Sequence, residues 1–205
     1  MAKSGGFIAK LHRHFHSSDA PDAEEKRKTS IQNAPLPELR GQTEILTELI
    51  RKTLIPELPS RARFYPWTLV YNTAIHGFSL KTLYRKMLKI ESPTLLIVRD
   101  VQDHTFGAIV SCALKVAEHF YGTGESALFS FTPEFRIYNW CSNSFIVRGL
   151  TESIAIGSGG GTFGLWLDSD LNRGRTQTCE TFENDPLCSC GDFIIKNLEA
   201  WCFLG

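Results

Sequence analysis

Between residues 95 and 167 the chain is a succession of short apolar runs separated by turn residues, and this spacing constrains the fold more than any other feature. Leu95-Leu96-Ile97-Val98 comes first, and the polar stretch from Asp100 to His104 turns the chain back into Phe106-Gly107-Ala108-Ile109-Val110. Ala127-Leu128-Phe129-Ser130-Phe131, Phe135-Arg136-Ile137-Tyr138, Phe145-Ile146-Val147, Ile154-Ala155-Ile156 and Phe163-Gly164-Leu165-Trp166-Leu167 follow. Short strands at this spacing predict antiparallel sheets that each bury one face, hence a two-sheet β-sandwich. Phe193 to Phe203 fits neither period cleanly, and a closing strand with a bulge or kink is the favoured reading.

Helices are expected before this β-region. Thr43 can cap a helix whose apolar face is Leu46, Leu49, Ile50 and Leu54, and Pro56 and Pro59 stop it. A strand is expected at Trp67–Tyr71. Ser79 is the next cap candidate, followed by Leu80, Leu83, Tyr84, Met87 and Leu88 at helical spacing up to Pro93. The class is therefore α+β, mainly β, with the helices flanking the sandwich.

Residues 1–39 read as a disordered N-terminal tail, because charge is mixed, apolar spacing is irregular and prolines interrupt it. His12, His14 and His16 alternate there and could bind a metal, although such strings are more often solvated. No signal peptide is expected, since Lys10 ends the Phe7-Ile8-Ala9 patch, and Ala at position 2 rules out N-myristoylation. A mitochondrial address is the lesser alternative to a cytoplasmic one, because residues 1–16 are basic and lack acids.

The folded part is large enough for a full core, with 42% hydrophobic residues including 14 Phe and 4 Trp. Lys plus Arg and Asp plus Glu are each 22, so bulk charge advertises neither nucleic acid nor membrane as a partner. No apolar run approaches the ~18 residues of a spanning helix. The six cysteines are expected to be free thiols, and the Cys188-Ser189-Cys190 spacing does not suit a zinc knuckle. No metal and no cofactor are expected.

The conspicuous chemistry-bearing motifs have structural readings. Gly157-Ser158-Gly159-Gly160-Gly161 lacks the lysine of a phosphate loop and opens a strand, so a sharp turn is expected. Asp168-Ser169-Asp170 begins like a calcium loop, but Arg173 replaces its glycine and Cys179 its final glutamate. Glu125 ends the Tyr121-Gly122-Thr123-Gly124 turn, and Glu199 lies in an apolar segment. Two carboxylates could serve acid–base chemistry if they met in a cleft, but a buried Glu more often pairs with Arg or backbone N–H groups. There is no Gly-x-Ser-x-Gly elbow, and nothing singles out a nucleophile beside His76, His104 or His119.

Several longer motifs, in order, resemble a known family. Tyr65–Tyr71 and His76–Arg85 are similar to the opening of a TLDc domain. Phe120-Tyr121-Gly122-Thr123-Gly124-Glu125 matches its central motif, and Gly159–Asp168 with Gly174-Arg175-Thr176 matches its third. Leu198-Glu199-Ala200-Trp201-Cys202-Phe203 resembles its end. The likeness spans about residues 40–204 and implies a TLDc domain over 40–205, in a family that includes the oxidation-resistance proteins.

The resemblance implies a β-sandwich flanked by helices, protection against oxidative stress, and direct binding to subunits of the vacuolar proton-pumping ATPase. It thereby implies a cytoplasmic protein recruited to vacuolar, lysosomal or endosomal membranes by its partner, without membrane insertion. Motif by motif it points to Gly122, Gly124, Glu125, Gly160, Gly161, Asp168, Gly174, Arg175, Glu199 and Trp201 as partner-binding or motif residues. A non-catalytic binding module is the expectation. An antioxidant enzyme acting on peroxide would use Glu125, Glu199 or Cys179, the last matching a cysteine of the family pattern. A transcription-linked scaffold is the weakest alternative.

Overall fold

The computed structural model of the chain describes residues 34–205, together with Glu25 and Ser30. The expected tail, with its three alternate histidines, falls mostly outside the described residues. Pro35–Gly205 forms one compact unit. It takes in residues just ahead of position 40. The Glu38 carbonyl accepts from Trp67 N–H at 2.8 Å, and strand β1 (Leu39–Arg40) pairs in parallel with β2 (Trp67–Asn72).

The remaining strands run β3 (Thr94–Asp100), β4 (Thr105–Val110), β5 (Ala127–Ser130), β6 (Arg136–Asn139), β7 (Val147–Gly149), β8 (Ser153–Gly159), β9 (Thr162–Asp168), β10 (Arg173–Arg175) and β11 (Asp192–Phe203). One sheet has the order β1-β2-β11-β3-β4-β5-β6, and the other β11-β10-β9-β8-β7. Apart from β1, all pairings are antiparallel.

Strand β11 joins the sheets. Its first three residues pair with β10, whereas Glu199–Phe203 pair with β2 and Ile195–Cys202 with β3. Register shifts at Ile195/Asn197 and Ala200/Trp201 bend it between the two partnerships, as bulges do. The expectation of a closing strand with a bulge is met. Leu96, Val98, Phe106 and Leu128 from one sheet pack against Ile154, Ile156, Leu165 and Leu167 from the other. The fold is the mainly β sandwich that the strand spacing predicts.

Among the described residues three short α-helices flank it: α1 (Glu48–Leu54), α2 (Thr73–His76) and α3 (Leu80–Met87). Ser79 caps α3 by accepting from Thr82 N–H, and Leu80, Leu83, Tyr84 and Met87 are buried as expected. Leu88 is not part of that face; the helix ends at Met87 and Leu88 points outward, 68% exposed. The first helix also differs from expectation. Its cap is Thr47, not Thr43, and Leu49 is 72% exposed. Thr43 is occupied elsewhere, by a carboxylate described below. Among the described residues no helix is long and apolar enough to cross a membrane.

Candidate functional site

The segment Phe120–Glu125 lies in an irregular stretch between β4 and β5 and is held down by its own backbone and hydroxyls. Tyr121 exchanges both backbone hydrogen bonds with Val147, at 2.8 and 3.0 Å. Its hydroxyl accepts from Lys115 N–H at 2.9 Å and donates to the Lys115 carbonyl at 3.0 Å. Thr123 N–H donates to Ser111 Oγ at 2.8 Å. Glu125 is exposed and forms an ion pair with Arg61, whose other nitrogen donates to the Ser111 carbonyl at 2.7 Å. The turn is thereby tied to the strand end behind it and presents its outer face to solvent.

Aromatic side chains surround that face. A Cβ on Gly124 would lie 2.8 Å from the Trp140 ring, and Gly124 has no positive φ, so close approach rather than backbone conformation requires glycine there. Trp140 is 42% exposed, with its indole N–H donating to the Asn143 carbonyl at 2.6 Å. Phe120 and Phe145 lie with ring centroids 5.0 Å apart, and the Arg148 guanidinium sits 5.8 Å from the Phe120 centroid. Phe120, Gly122, Phe145 and Arg148 line a shallow depression of about 460 Å³. Trp140 and Phe145 are exposed and Phe120 is half-buried, with the guanidinium groups of Arg61 and Arg148 nearby. Trp140, Phe145 and Arg61 have no sequence signal tying them to the motif; only the fold brings them to it.

Glu199 is in different surroundings. Its carboxylate is fully buried and accepts from Thr43 Oγ1 (2.7 Å), Glu44 N–H (2.7 Å), Ile45 N–H (3.2 Å), Asn72 Nδ2 (3.4 Å) and Trp201 Nε1 (2.9 Å). No cation is among these partners; backbone and side-chain dipoles hold the charge. Trp201 is buried beside it, so both residues work inside the fold and offer no surface. Glu125 and Glu199 share no hydrogen-bond partner, and the structure does not bring them into one cleft.

The third motif builds the opposite sheet. Gly160 and Gly161, with φ of 64° and 83°, are the central residues of the β8–β9 hairpin, where two positive φ values match the strand twist. Asp168 Oδ1 accepts from Asn172 N–H at 2.9 Å and Arg173 N–H at 3.3 Å, so it orders the turn into β10. No group of residues suited to a metal ion occurs among the described residues. Gly174 packs under Phe193, and Arg175 Nε and Nη2 donate to the two carboxylate oxygens of Asp192, at 2.5 and 3.2 Å. That pairing holds Asp192 below the usual carboxylate range. Beside it runs an open groove of about 790 Å³ lined by Phe163, Trp166, Arg173, Arg175 and Ile194.

All six cysteines are free. Cys179 is buried, its Sγ donating to Asn184 Oδ1 at 3.2 Å, and burial pushes its pKa up. That opposes thiolate formation, which peroxide chemistry needs. Burial also pushes Cys202 up to about 11 and Cys188 up to about 12. Cys141 and Cys190 are exposed.

One array escaped the sequence reading. Ser189 Oγ lies 3.4 Å from His104 Nε2, and His104 Nδ1 lies 2.8 Å from the buried carboxylate of Asp100. The order of groups is that of a nucleophilic triad. However, Asp100 Oδ1 also accepts from Gln102 and His104 N–H at 2.9 and 2.8 Å, and the Ser–His separation is at the long limit. Its geometry orders the β3–β4 hairpin and the loop packed on it.

Known proteins carry the same pattern. The family profile described as "TLDc domain" matches residues 39–204. The chain is 45% identical over 169 residues to nuclear receptor coactivator 7 of Homo sapiens, covering 82% of this chain and 18% of that protein. It is 44% identical over 200 residues to oxidation resistance protein 1 of Xenopus tropicalis, covering 94% of this chain and 23% of that protein. Against oxidation resistance protein 1 of Homo sapiens the figures are 46% over 168 residues, 82% and 19%. The chain thus spans about a fifth of the length of these relatives. A sandwich closed by a bulged terminal strand, a profile match over residues 39–204 and these identities together make the chain a member of the TLDc domain family.

Proposed function

We propose that this protein is a non-catalytic TLDc module that binds subunits of the vacuolar proton-pumping ATPase, modulates its assembly or activity, and thereby supports resistance to oxidative stress. The observation that carries the reading is the aromatic surface around the anchored Gly122–Glu125 turn, with Trp140 and Phe145 exposed and Phe120 half-buried against Phe145. Such a surface suits docking, because rigid rings bury much area with little loss of conformational freedom. The stress-resistance part draws on the relatives named oxidation resistance protein 1. The working site is the cytoplasmic face of vacuolar, lysosomal or endosomal membranes, reached through the partner.

The antioxidant-enzyme alternative is less well supported. Its thiol candidate Cys179 is buried with a raised pKa, and its carboxylate candidates Glu125 and Glu199 occupy separate environments. Co-sedimentation of the purified protein with vacuolar ATPase, scored for binding and ATP hydrolysis together, separates the two. Saturable binding with altered hydrolysis is expected. No binding at micromolar protein, together with peroxide consumption sustained by a thiol reductant, would reverse the order.

A further inference from the structure

Helix α3 buries one face and turns the other to solvent with nothing packed on it. Leu80, Leu83, Tyr84 and Met87 face the core, while Lys81, Arg85 and Lys86 are exposed on the outer side. Leu88 and Lys89 follow the last helical residue, Met87, and Lys89 takes a φ of 69°. Glycine is the usual occupant of that left-handed closing position, so the lysine stands where it is conformationally unfavourable. The Lys115-Val116 loop lies alongside. Arg85, Leu88, Lys89, Lys115 and Val116 together line a depression of about 470 Å³.

Two properties of this surface coincide. The first is charge. None of Lys81, Arg85, Lys86, Lys89 and Lys115 takes part in an ion pair among the described residues, whereas Lys52, Lys196, Arg136 and Arg175 all do. Lys115 Nζ lies 5.4 Å from the centre of the Tyr121 ring. Glu91, Glu118, Glu152 and Asp170 are the exposed acids on adjacent segments, but none of them lines the depression, which Arg85, Lys89 and Lys115 border. In a chain of zero net charge this is a marked local excess. The second is exposed aliphatic surface in the middle of the cations: Leu88 is 68% and Val116 52% exposed.

We propose that the outer face of α3 and the Lys115-Val116 loop form a docking site for the anionic surface of a phospholipid membrane. The cations meet headgroup phosphates and carboxylates, and Leu88 and Val116 enter the boundary between headgroups and acyl chains. The aliphatic pair favours lipid over nucleic acid, for which a basic face would be interleaved with aromatic rings that stack on bases. Attachment is peripheral and reversible, and it stands independently of the vacuolar ATPase, since it requires only lipid.

The test is sedimentation of the full chain with vesicles of phosphatidylcholine alone and of phosphatidylcholine mixed with phosphatidylserine, at low and high salt. Binding is expected only with phosphatidylserine, and it falls as salt rises. Each basic residue at such a surface contributes about fivefold in partition, so replacing Lys81, Arg85, Lys86 and Lys89 with Ala should lower binding by at least ~100-fold. Leu88→Ser with Val116→Ser, charges intact, should lower it by roughly tenfold. All the changed positions are exposed, and circular dichroism checks that the fold is kept. Equal binding to both vesicle types, or wild-type binding by the four-alanine variant, would overturn the proposal. So would undiminished binding by the Leu88/Val116 variant, which would leave a site for soluble polyanions and not for a membrane.

Discussion

The Glu199 carboxylate and the Thr43 hydroxyl meet at 2.7 Å across 156 positions of sequence. This contact joins the closing strand to the segment that enters the fold. The same carboxylate accepts from two successive backbone N–H groups, those of Glu44 and Ile45, while Thr43 Oγ1 accepts from Ile45 and Leu46 N–H. A buried anion without a cation is stable here because five donors converge on it.

Removing that acceptor is therefore expensive. Glu199→Ala leaves several buried donors unpaired and is expected to destabilise the fold by about 3 kcal/mol or more, read as a lowered urea midpoint. Glu199→Gln keeps one oxygen but turns an NH2 toward the donors at the other, and an intermediate loss is expected. A Glu199→Ala protein with the wild-type midpoint would contradict this role.

Gly124 and Trp140 should behave as a coupled pair. Gly124→Val places a branched carbon against the indole ring, so Trp140 must move, and partner binding is expected to be lost with a change in tryptophan emission. Gly124→Ala should cost on the order of 1 kcal/mol in the wild type and much less beside Trp140→Ala, a difference that a double-mutant cycle reads directly. Equal costs in both backgrounds would show that the ring is not the obstacle.

How far the sequence could be read depended on whether a residue's neighbours in sequence were also its neighbours in space. Leu95–Val98 was legible as a buried strand because four apolar residues in a row leave few alternatives, and Ser79 because its acceptor role is satisfied three residues away. Thr43 was misread as a helix cap because Glu199, which claims its hydroxyl, is distant in sequence. Strand β10 was not visible: Arg-Gly-Arg has no strand character, and only its partners β9 and β11 make it one. The Gly122–Glu125 turn was legible through family resemblance, but Trp140, Phe145 and Arg61, which complete its surface, reach it only through the sandwich topology.

Lys89→Gly should stabilise the protein by roughly 0.5 kcal/mol, because glycine occupies a φ of 69° without strain while the lysine makes no ion pair among the described residues. Urea unfolding measures it. A loss of stability would show that the Lys89 side chain contributes contacts that outweigh the backbone strain.

Thiol ionisation sets an alkaline limit. Cys202 is raised from 9.0 to about 11, first by burial. The folded state therefore keeps its proton where the unfolded chain has lost it. This stabilising contribution is complete below the unfolded value and is lost as pH rises through the folded one. Stability measured by urea unfolding should fall across that window, and less so in Cys202→Ala. At neutral pH, alkylation should mark Cys141 and Cys190 first and reach Cys179, Cys188 and Cys202 only after unfolding.

The central claim is that the aromatic surface around the Gly122–Glu125 turn docks onto the vacuolar ATPase. The most direct measurement is ATP hydrolysis by that enzyme as the protein is titrated in, wild type beside a folded variant carrying Phe120→Ala and Phe145→Ala. The account predicts a saturable change in hydrolysis with the wild type, shifted at least ~10-fold to higher concentration in the variant. Identical titration curves for the two proteins, or no change in hydrolysis with either, would contradict it.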